Sequence, residues 1–200
     1  MNTLYMKLLS VIVLFVFLSG CFEASDSVKV KSNLFNSVEK LNLIRGDYTL
    51  GKALSQPQKK IAAENKIETN VAATYKFKDN DLYIVADTQS DRVLIIYEYY
   101  DPAPRKKVKD LIGALAFDFG DPTLMAHDKV VYWAYDEKQK LTEDEYRKIK
   151  ESKRSLDVLA TVKLSSSEDL MTAGGSDEDS IVYYVISSEP LLKLAQSPSL

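Results

Sequence analysis

The feature that most constrains the fold is a series of short segments in which apolar residues recur at every second position. Three of them follow one another in the first half of the chain: 74–78, 82–86 and the strongly β-prone run 93–100. Two polar turn sequences separate them, Asp79-Asn80-Asp81 and Gln89-Ser90-Asp91. Alternation with period two is typical of strands, and turns this short join antiparallel strands. The pattern therefore predicts a three-strand antiparallel meander.

Helical patterns precede these strands. Leu34, Val38 and Leu41 follow helical spacing and predict a helix that begins near residue 32. A second short helix is predicted over 48–55, ending before Pro57, because the residue before a proline avoids the helical conformation. Residues 58–70 fit a helix or a loop equally well.

The second half repeats the order of helix and then strands. A helix over 105–119 ends at Gly120-Asp121-Pro122, and a strand over 129–135 carries Trp133 and Tyr135 on one face. The remaining predicted elements are a helix over 143–152 that begins with the capping box Thr142–Glu145, a strand over 156–164, a Ser- and Gly-rich loop over 165–180, a strand over 181–187 and a short C-terminal helix.

These patterns predict an α+β fold with two helix-plus-antiparallel-sheet units, 32–101 and 102–200, whose helices pack on one face of the sheet. Aligning Pro57 with Pro122 places Tyr75-x-Phe77 opposite Trp133-x-Tyr135. The correspondence indicates an internal duplication.

Composition excludes several classes of function. The chain has a net charge of −3, one His and one Cys among 200 residues. Nucleic-acid binding normally requires a basic surface, so no nucleic-acid partner is expected. A single Cys excludes an internal disulfide and a zinc ribbon, and a single His excludes a site built on two histidines. We therefore expect no cofactor and no metal.

The N-terminus has the pattern of an export signal. Lys7 is its only charged residue, and an unbroken apolar run follows from Leu8 to Leu18. Eleven helical residues span about 16 Å, roughly half of the hydrocarbon core of a bilayer. The length fits the apolar region of a signal peptide better than a transmembrane helix.

The end of this segment, Leu18-Ser19-Gly20-Cys21, resembles the lipobox of bacterial lipoproteins. The resemblance implies that residues 1–20 are removed as a signal peptide and that Cys21 carries the acyl chains (a palmitate-type modification). Residues 21–31 then form a lipidated tether, while Phe22, in place of the Asp of inner-membrane lipoproteins, points to the outer membrane. An ordinary secreted protein with an unmodified Cys21 is the alternative. Without Lys7 the mature chain has 25 basic and 29 acidic residues, a net charge of −4, so the acyl chains rather than its net charge would anchor it.

The body of the chain resembles a second family. The run of helix, Gly120-Asp121-Pro122 and then Trp133-x-Tyr135 is similar to the outer-membrane assembly lipoproteins of the SmpA/BamE kind. Two such units in tandem resemble the architecture of β-lactamase inhibitor protein. The resemblance implies that helices cover one face of an antiparallel sheet, and that the other face or the loops at one end bind proteins.

Few residues suggest catalysis. His127 beside Asp128 could act as a general base, although sequence neighbours on an extended chain point apart. Ser37 and Lys40 have the S-x-x-K spacing of serine acylating enzymes, without the companion motifs. The acidic clusters 79–81 and 177–179 lack the glycine and glutamate of a calcium-binding loop, and the integrin-type tripeptide Arg45-Gly46-Asp47 is most simply a helix break.

Apolar residues occupy both faces of several predicted strands. A sheet with one face in water carries polar residues there. If Val93, Ile95, Tyr97 and Tyr99 face the helices, the second face carries the candidate partner-binding residues Tyr83, Leu94, Ile96, Tyr100 and Tyr132. This face is either a tyrosine-rich binding surface or a second buried face.

These observations predict a lipid-anchored protein of the cell envelope, at the outer membrane and facing the periplasm, that binds a protein partner and catalyses nothing. An accessory role in outer-membrane assembly or stability is expected first. A lipoprotein inhibitor or immunity-type protein that blocks an envelope enzyme is the alternative, and a hydrolase that uses Ser37, Lys40 or His127 is a third hypothesis. An inhibitor is expected to present a loop such as 165–180, whereas a scaffold is expected to use the sheet face.

Overall fold

The computed structural model describes residues 32–152, 157–170 and 180–197. These residues form five helices: α1 (32–40), α2 (Gln56–Glu64), α3 (Arg105–Phe119), α4 (Glu143–Glu151) and α5 (Glu189–Gln196). They form ten strands: β1 (Ile44–Arg45), β2 (Tyr48–Thr49), β3 (Lys66–Ile67), β4 (Thr74–Asp79), β5 (Leu82–Asp87), β6 (Val93–Ala103), β7 (Leu124–Ala126), β8 (Val130–Tyr135), β9 (Ala160–Ser166) and β10 (Ser180–Ser187).

Eight strands form one antiparallel sheet in the order β3-β4-β5-β6-β10-β9-β8-β7, and β1 and β2 form a separate hairpin. Each half of the sheet is a four-strand meander, so the predicted α+β class with antiparallel sheet is confirmed. The two meanders join through their last strands, β6 and β10, which pair from Ile95–Ser187 to Ala103–Ser180. Residues of 32–101 and of 102–200 therefore contribute to one continuous sheet.

The second strand of each meander carries its aromatic pair on the same face. Phe77 on β4 and Trp133 on β8 are both almost fully buried. The Trp133 indole donates a hydrogen bond to the Gly120 carbonyl at 2.7 Å, and its ring lies 6.1 Å from that of Phe119. The correspondence between Tyr75-x-Phe77 and Trp133-x-Tyr135 therefore agrees with the order of strands.

Most of the helices pack on this face, which we call the covered face. The central core contains residues of four helices together with the inward side chains of the sheet: Phe35 and Val38 of α1, Ala62 of α2, Val108, Leu111 and Leu115 of α3, and Leu191 and Ala195 of α5. By contrast, Tyr146 and Ile149 of α4 pack against a separate small cluster that contains Ala134 of β8. Since Ala134 points to the opposite face from Trp133, α4 covers the other face at the β8 end.

The helix predicted over 48–55 is wrong. Tyr48 and Thr49 form β2, and the chain then turns at Gly51, whose φ of +80° and close approach to the α1 backbone leave no room for a Cβ atom. Pro57 does not end a helix but lies in the first turn of α2, which begins with the Ser55–Gln58 capping box. The alignment of Pro57 with Pro122, which follows α3, therefore pairs positions with different structural roles.

Other predicted elements agree with the structure to within a few residues. Helix α3 has the predicted bounds, and α4 begins with the predicted capping box. Strand β6 continues through Pro102 to Ala103, beyond its predicted end. Strand β9 begins at Ala160, four residues after its predicted start. Residue 156 of the predicted strand and residues 171–179 of the predicted loop 165–180 lie outside the described residues.

Candidate binding surface

The second face of the sheet carries a patch of partly exposed tyrosines, and we call it the open face. Paired residues of neighbouring strands point to the same side of a sheet, so the observed register defines the face. Its central row runs across six strands: Lys78, Tyr83, Tyr97, Val185, Lys163 and Tyr132. The adjoining row contains Tyr99, Tyr183, Ser165 and Val130.

The tyrosines of the open face are arranged in pairs across neighbouring strands. The rings of Tyr83 and Tyr97 stack with centroids 4.8 Å apart and planes 11° from parallel. Those of Tyr99 and Tyr183 are also 4.8 Å apart. Tyr99 and Tyr183 are 37% and 42% exposed, so each pair holds its rings firmly while leaving much of their surface to solvent.

Positive charge lies beside these rings. The Lys78 ammonium is 5.3 Å from the centre of the Tyr83 ring, close enough for a cation–π interaction. Lys163 lies farther along the same row, next to Val185. At the other margin the Tyr99 hydroxyl donates a 2.6 Å hydrogen bond to Asp101, and this bond is the main cause that raises the pKa of Tyr99 to about 12.

The structure divides the five candidate partner-binding residues between the two faces. Tyr83 and Tyr132 lie on the open face and are half-buried. The placement of Leu94, Ile96 and Tyr100 on this face is wrong. Leu94 and Ile96 are at most 1% exposed within the core, and Tyr100 packs against that core.

A buried charge explains this error. Glu98 shares the face of Ile96 and Tyr100, and a charged residue normally marks the side that faces water. Here Glu98 is buried because the Arg45 guanidinium donates to both of its carboxylate oxygens, at 2.5 and 2.9 Å, while the Tyr100 hydroxyl donates to one of them. A β-bulge opposite Val85–Ala86 adds to the error, because it buries Val93 and Leu94 together and breaks the alternation.

The Arg45 contact also shows what the Arg45-Gly46-Asp47 tripeptide does. The hydrogen bond to Glu98 raises the pKa of Arg45, and the guanidinium lies 4.9 Å from the Tyr184 ring. Arg45 thus fastens the β1–β2 hairpin to the covered face. It is directed into the protein rather than presented to a receptor.

Sequence reasoning missed three residues of the open face, Tyr97, Tyr99 and Tyr183. Alternate positions of β6 form two sets of apolar residues, and the sequence pattern does not indicate which set faces the core. One signal was available: Leu94 and Ile96 are purely aliphatic, whereas Tyr97 and Tyr99 end in a hydroxyl that favours a half-exposed position.

The structure places the two candidate catalytic groups at opposite ends of β8, while Ser37 and Lys40 lie one turn apart on α1. The Ser37 hydroxyl donates to Glu137 at 3.2 Å, just beyond the C-terminal end of β8. His127 lies in the turn before β8, so about 20 Å of extended strand separates it from that end. Lys40, at the end of α1, is exposed.

The acidic clusters give no metal site within the described ranges, where no group of three potential ligands converges. The Asp79 carboxylate accepts a hydrogen bond from the Tyr48 hydroxyl at 2.8 Å, and Asn80 occupies the turn with a φ of +51°. The cluster 79–81 is therefore the β4–β5 turn. Residues 177–179 lie outside the described residues, as does the lipidation candidate Cys21.

Two shallow clefts flank α4. One of about 450 Å³ lies between α4 and the β7 edge and contains His127, Tyr146, Arg147 and Lys150. The other, of about 480 Å³, lies at the opposite end of β8 and includes Asp136, Glu145 and Asp157. Both are open and exposed to solvent, and neither places a nucleophile beside a base.

Comparisons with known proteins give no further assignment: no family model, no curated protein and no solved structure matches the chain. Within the ranges that the structure describes, none of the helices combines the length and the apolar character needed to cross a bilayer.

Proposed function

We propose that this chain is a lipid-anchored, non-enzymatic protein of the cell envelope that binds a protein partner through the open face. The observation that carries the proposal is two tyrosine pairs on one side of the sheet, the stacked rings of Tyr83 and Tyr97 and the tilted rings of Tyr99 and Tyr183. The exposed Ile181 extends the same surface.

Tyrosine suits such a surface for two physical reasons. Its ring contributes a large contact area, while its two side-chain torsions cost little conformational entropy when they are fixed. In the open face the rings are already held by their stacking partners and by the strands, so binding orders few additional groups. The covered face supplies the rigidity because its core spans both halves of the sheet.

The anchor in this proposal comes from the sequence. The lipobox at Leu18–Cys21 supports acylation of Cys21, and Phe22 supports retention at the outer membrane, with the folded part in the periplasm. Two or three acyl chains give durable attachment, because each buried methylene contributes about 0.8 kcal/mol.

Between the two kinds of partner, we favour a component of an envelope assembly over an enzyme that the chain inhibits. An inhibitor normally inserts a protruding segment into a cleft, whereas the open face is a broad surface about 19 Å across the five strands from β4 to β9, next to the part of β8 that α4 covers. A broad face of this kind fits a scaffold or accessory protein.

Site-specific photocrosslinking in intact cells tests this proposal. A photoreactive phenylalanine analogue replaces Tyr97 or Tyr183 in the full-length chain, and, as a matched control, the exposed Lys60 of α2 on the helical side. We expect one envelope protein to be captured from both open-face positions and not from position 60, and we expect Cys21→Ser to lose acylation and membrane association. Equal capture from all three positions would contradict the open face as the binding site, and an unmodified Cys21 in the mature protein would contradict the anchor.

A further inference from the structure

One helix on the covered side carries a feature that the core does not explain. Phe117 of α3 is 91% exposed, by far the largest exposure among the large apolar side chains of the described residues. It lies on the outer side of the helix, opposite Val108, Leu111 and Leu115, which face the core. A side chain this apolar and this exposed indicates that something other than water contacts it.

The outer stripe of α3 is flat around this residue. Lys106, Asp110, Gly113 and Phe117 follow one another at helical spacing along it, and Ala114 and Ala116 on its margins are exposed. The Lys106 ammonium forms an exposed ion pair with Asp110 at 2.7 Å. A Cβ atom placed on Gly113 would meet no atom within 4 Å. Small residues beside a single projecting ring allow a flat partner to approach the helix closely.

The charge of α3 is opposite to that of the whole chain. The helix carries four cations, Arg105, Lys106, Lys107 and Lys109, against the carboxylates of Asp110 and Asp118, a net charge of +2 on a chain whose net charge is −3. The Lys106 side chain is 87% exposed. The helix therefore matches a partner surface that is anionic and has an apolar layer within reach.

The position of these cations opposes helix stability. Three of them fill the first turn of α3, where positive charge is unfavourable to the helix dipole, and the N-cap residue Pro104 makes no side-chain capping bond. Helix α4 has the opposite design, with three acidic residues in its first turn and a complete capping box. The i,i+4 ion pair of Lys106 with Asp110 offsets part of this cost, so the helix gains little local stability from its charges.

The start of the described chain lies on the same side of the sheet. Helix α1, which begins at residue 32, packs into the same core as α3. The segment from Cys21 to this helix has 11 residues and can reach at most about 40 Å. An acylated Cys21 would therefore hold the covered side, including α3, within about 40 Å of the bilayer.

We propose that α3 docks on the membrane surface, with Phe117 inserted among the headgroups and Lys106 and Lys109 against anionic lipid phosphates. An interfacial helix uses the same combination of apolar and basic side chains. This inference rests on the lipid anchor of the proposed function. Docking through α3 directs the open face away from the bilayer, where a protein partner can reach it.

Fluorescence quenching by brominated lipids tests the docking. The full-length lipidated chain with Phe117→Trp is reconstituted through its own acyl chains into vesicles of phosphatidylethanolamine and phosphatidylglycerol, some of them brominated near the headgroup. Tyr183→Trp on the open face is the matched control, and both variants share the buried Trp133 as background. We expect quenching of the added tryptophan at position 117 and not at position 183.

The same measurement with altered charge completes the test. Removing Lys109 by substitution with Ala should reduce the ratio of docked to undocked protein about fivefold. Lys106→Ala should have a smaller effect because Lys106 shares its charge with Asp110, and replacing phosphatidylglycerol with phosphatidylcholine should act in the same direction. Protein that stays bound to the vesicles without quenching at position 117, or with equal quenching at both positions, overturns the docking while leaving the anchor intact. Protein that does not bind to the vesicles at all overturns the anchor, and the docking with it.

Discussion

The two faces of the sheet are built from alternate residues of the same strands, yet they use aromatic and charged side chains in opposite ways. On β8, Trp133 is buried on the covered face with its indole N–H bonded to Gly120, while its neighbour Tyr132 is half-buried on the open face. On β6, Glu98 is enclosed by Arg45 and Tyr100, while the rings of Tyr97 and Tyr99 lie near the surface, each against a tyrosine of a neighbouring strand. The comparison shows that residue type alone does not assign a face, because each side chain takes its place from the partners available to it.

The largest expected difference between the faces is in stability. Trp133→Ala should lower the free energy of unfolding by about 3–5 kcal/mol, because it leaves a cavity in the core and removes the hydrogen bond to Gly120. Tyr132→Ala on the same strand should cost about 1 kcal/mol or less, since its ring already contacts solvent. Chemical denaturation of both variants gives the two values. Equal losses would show that the open face is buried in the protein in solution.

A second prediction concerns the charge on the covered face. Arg45→Ala should lower the free energy of unfolding by about 2–3 kcal/mol, because Glu98 then keeps its buried charge without its main partner. This value lies below that of a fully buried pair because one third of the Arg45 side chain is exposed. On the open face, Lys163→Ala should change stability little.

The double variant Arg45→Met/Glu98→Leu separates pairing from packing. If the pair acts through electrostatics, replacing both residues with apolar ones should recover most of the lost stability, because no unpaired charge remains. A loss as large as that of Arg45→Ala alone would instead assign the effect to the packing of Arg45 against the Tyr184 ring.

The contrast between the faces also shows which parts of the molecule the sequence could predict. Helices α3 and α4 and the six longer strands of the sheet follow local rules of spacing, capping and turns, and these rules predict them. The short edge strands β3 and β7 are not predicted, because two or three residues carry no detectable alternation. The choice of face in β6 depends on Arg45, which is 53 residues from Glu98 in sequence, and on a bulge in the pairing with β5. Both are tertiary features that local patterns do not contain.

The same reasoning explains the error at 48–55 and the oversight at α3. A proline can follow the end of a helix or lie in its first turn. The Ser55–Gln58 capping box indicates that Pro57 lies in a first turn. Phe119 was correctly assigned to the buried stripe of α3, whereas Phe117, two positions earlier and outside that stripe, was left out of consideration. The signal available in the sequence was an aromatic residue at a position outside the apolar stripe.

The smallest expected effect concerns two tyrosines whose pKa values are raised to a similar level by different causes. The hydrogen bond to Asp101 is the main cause that raises the pKa of Tyr99 on the open face to about 12, whereas burial alone raises that of Tyr135 on the covered face to about 12. Asp101→Asn should therefore lower the pKa of Tyr99 toward its ordinary value near 10 and leave Tyr135 unchanged. Titration of the tyrosine ring carbons by NMR measures both in one sample.

The sign of the accompanying stability effect follows from linkage. A tyrosine whose pKa is higher in the folded than in the unfolded chain contributes stability in full below pH 10, and this contribution is lost as the pH rises toward 12. Asp101→Asn should remove the part of this loss of stability that comes from Tyr99. Tyr135→Phe should remove the part that comes from Tyr135. If Asp101→Asn instead shifts the pKa of both tyrosines, burial is not the only cause that raises the pKa of Tyr135.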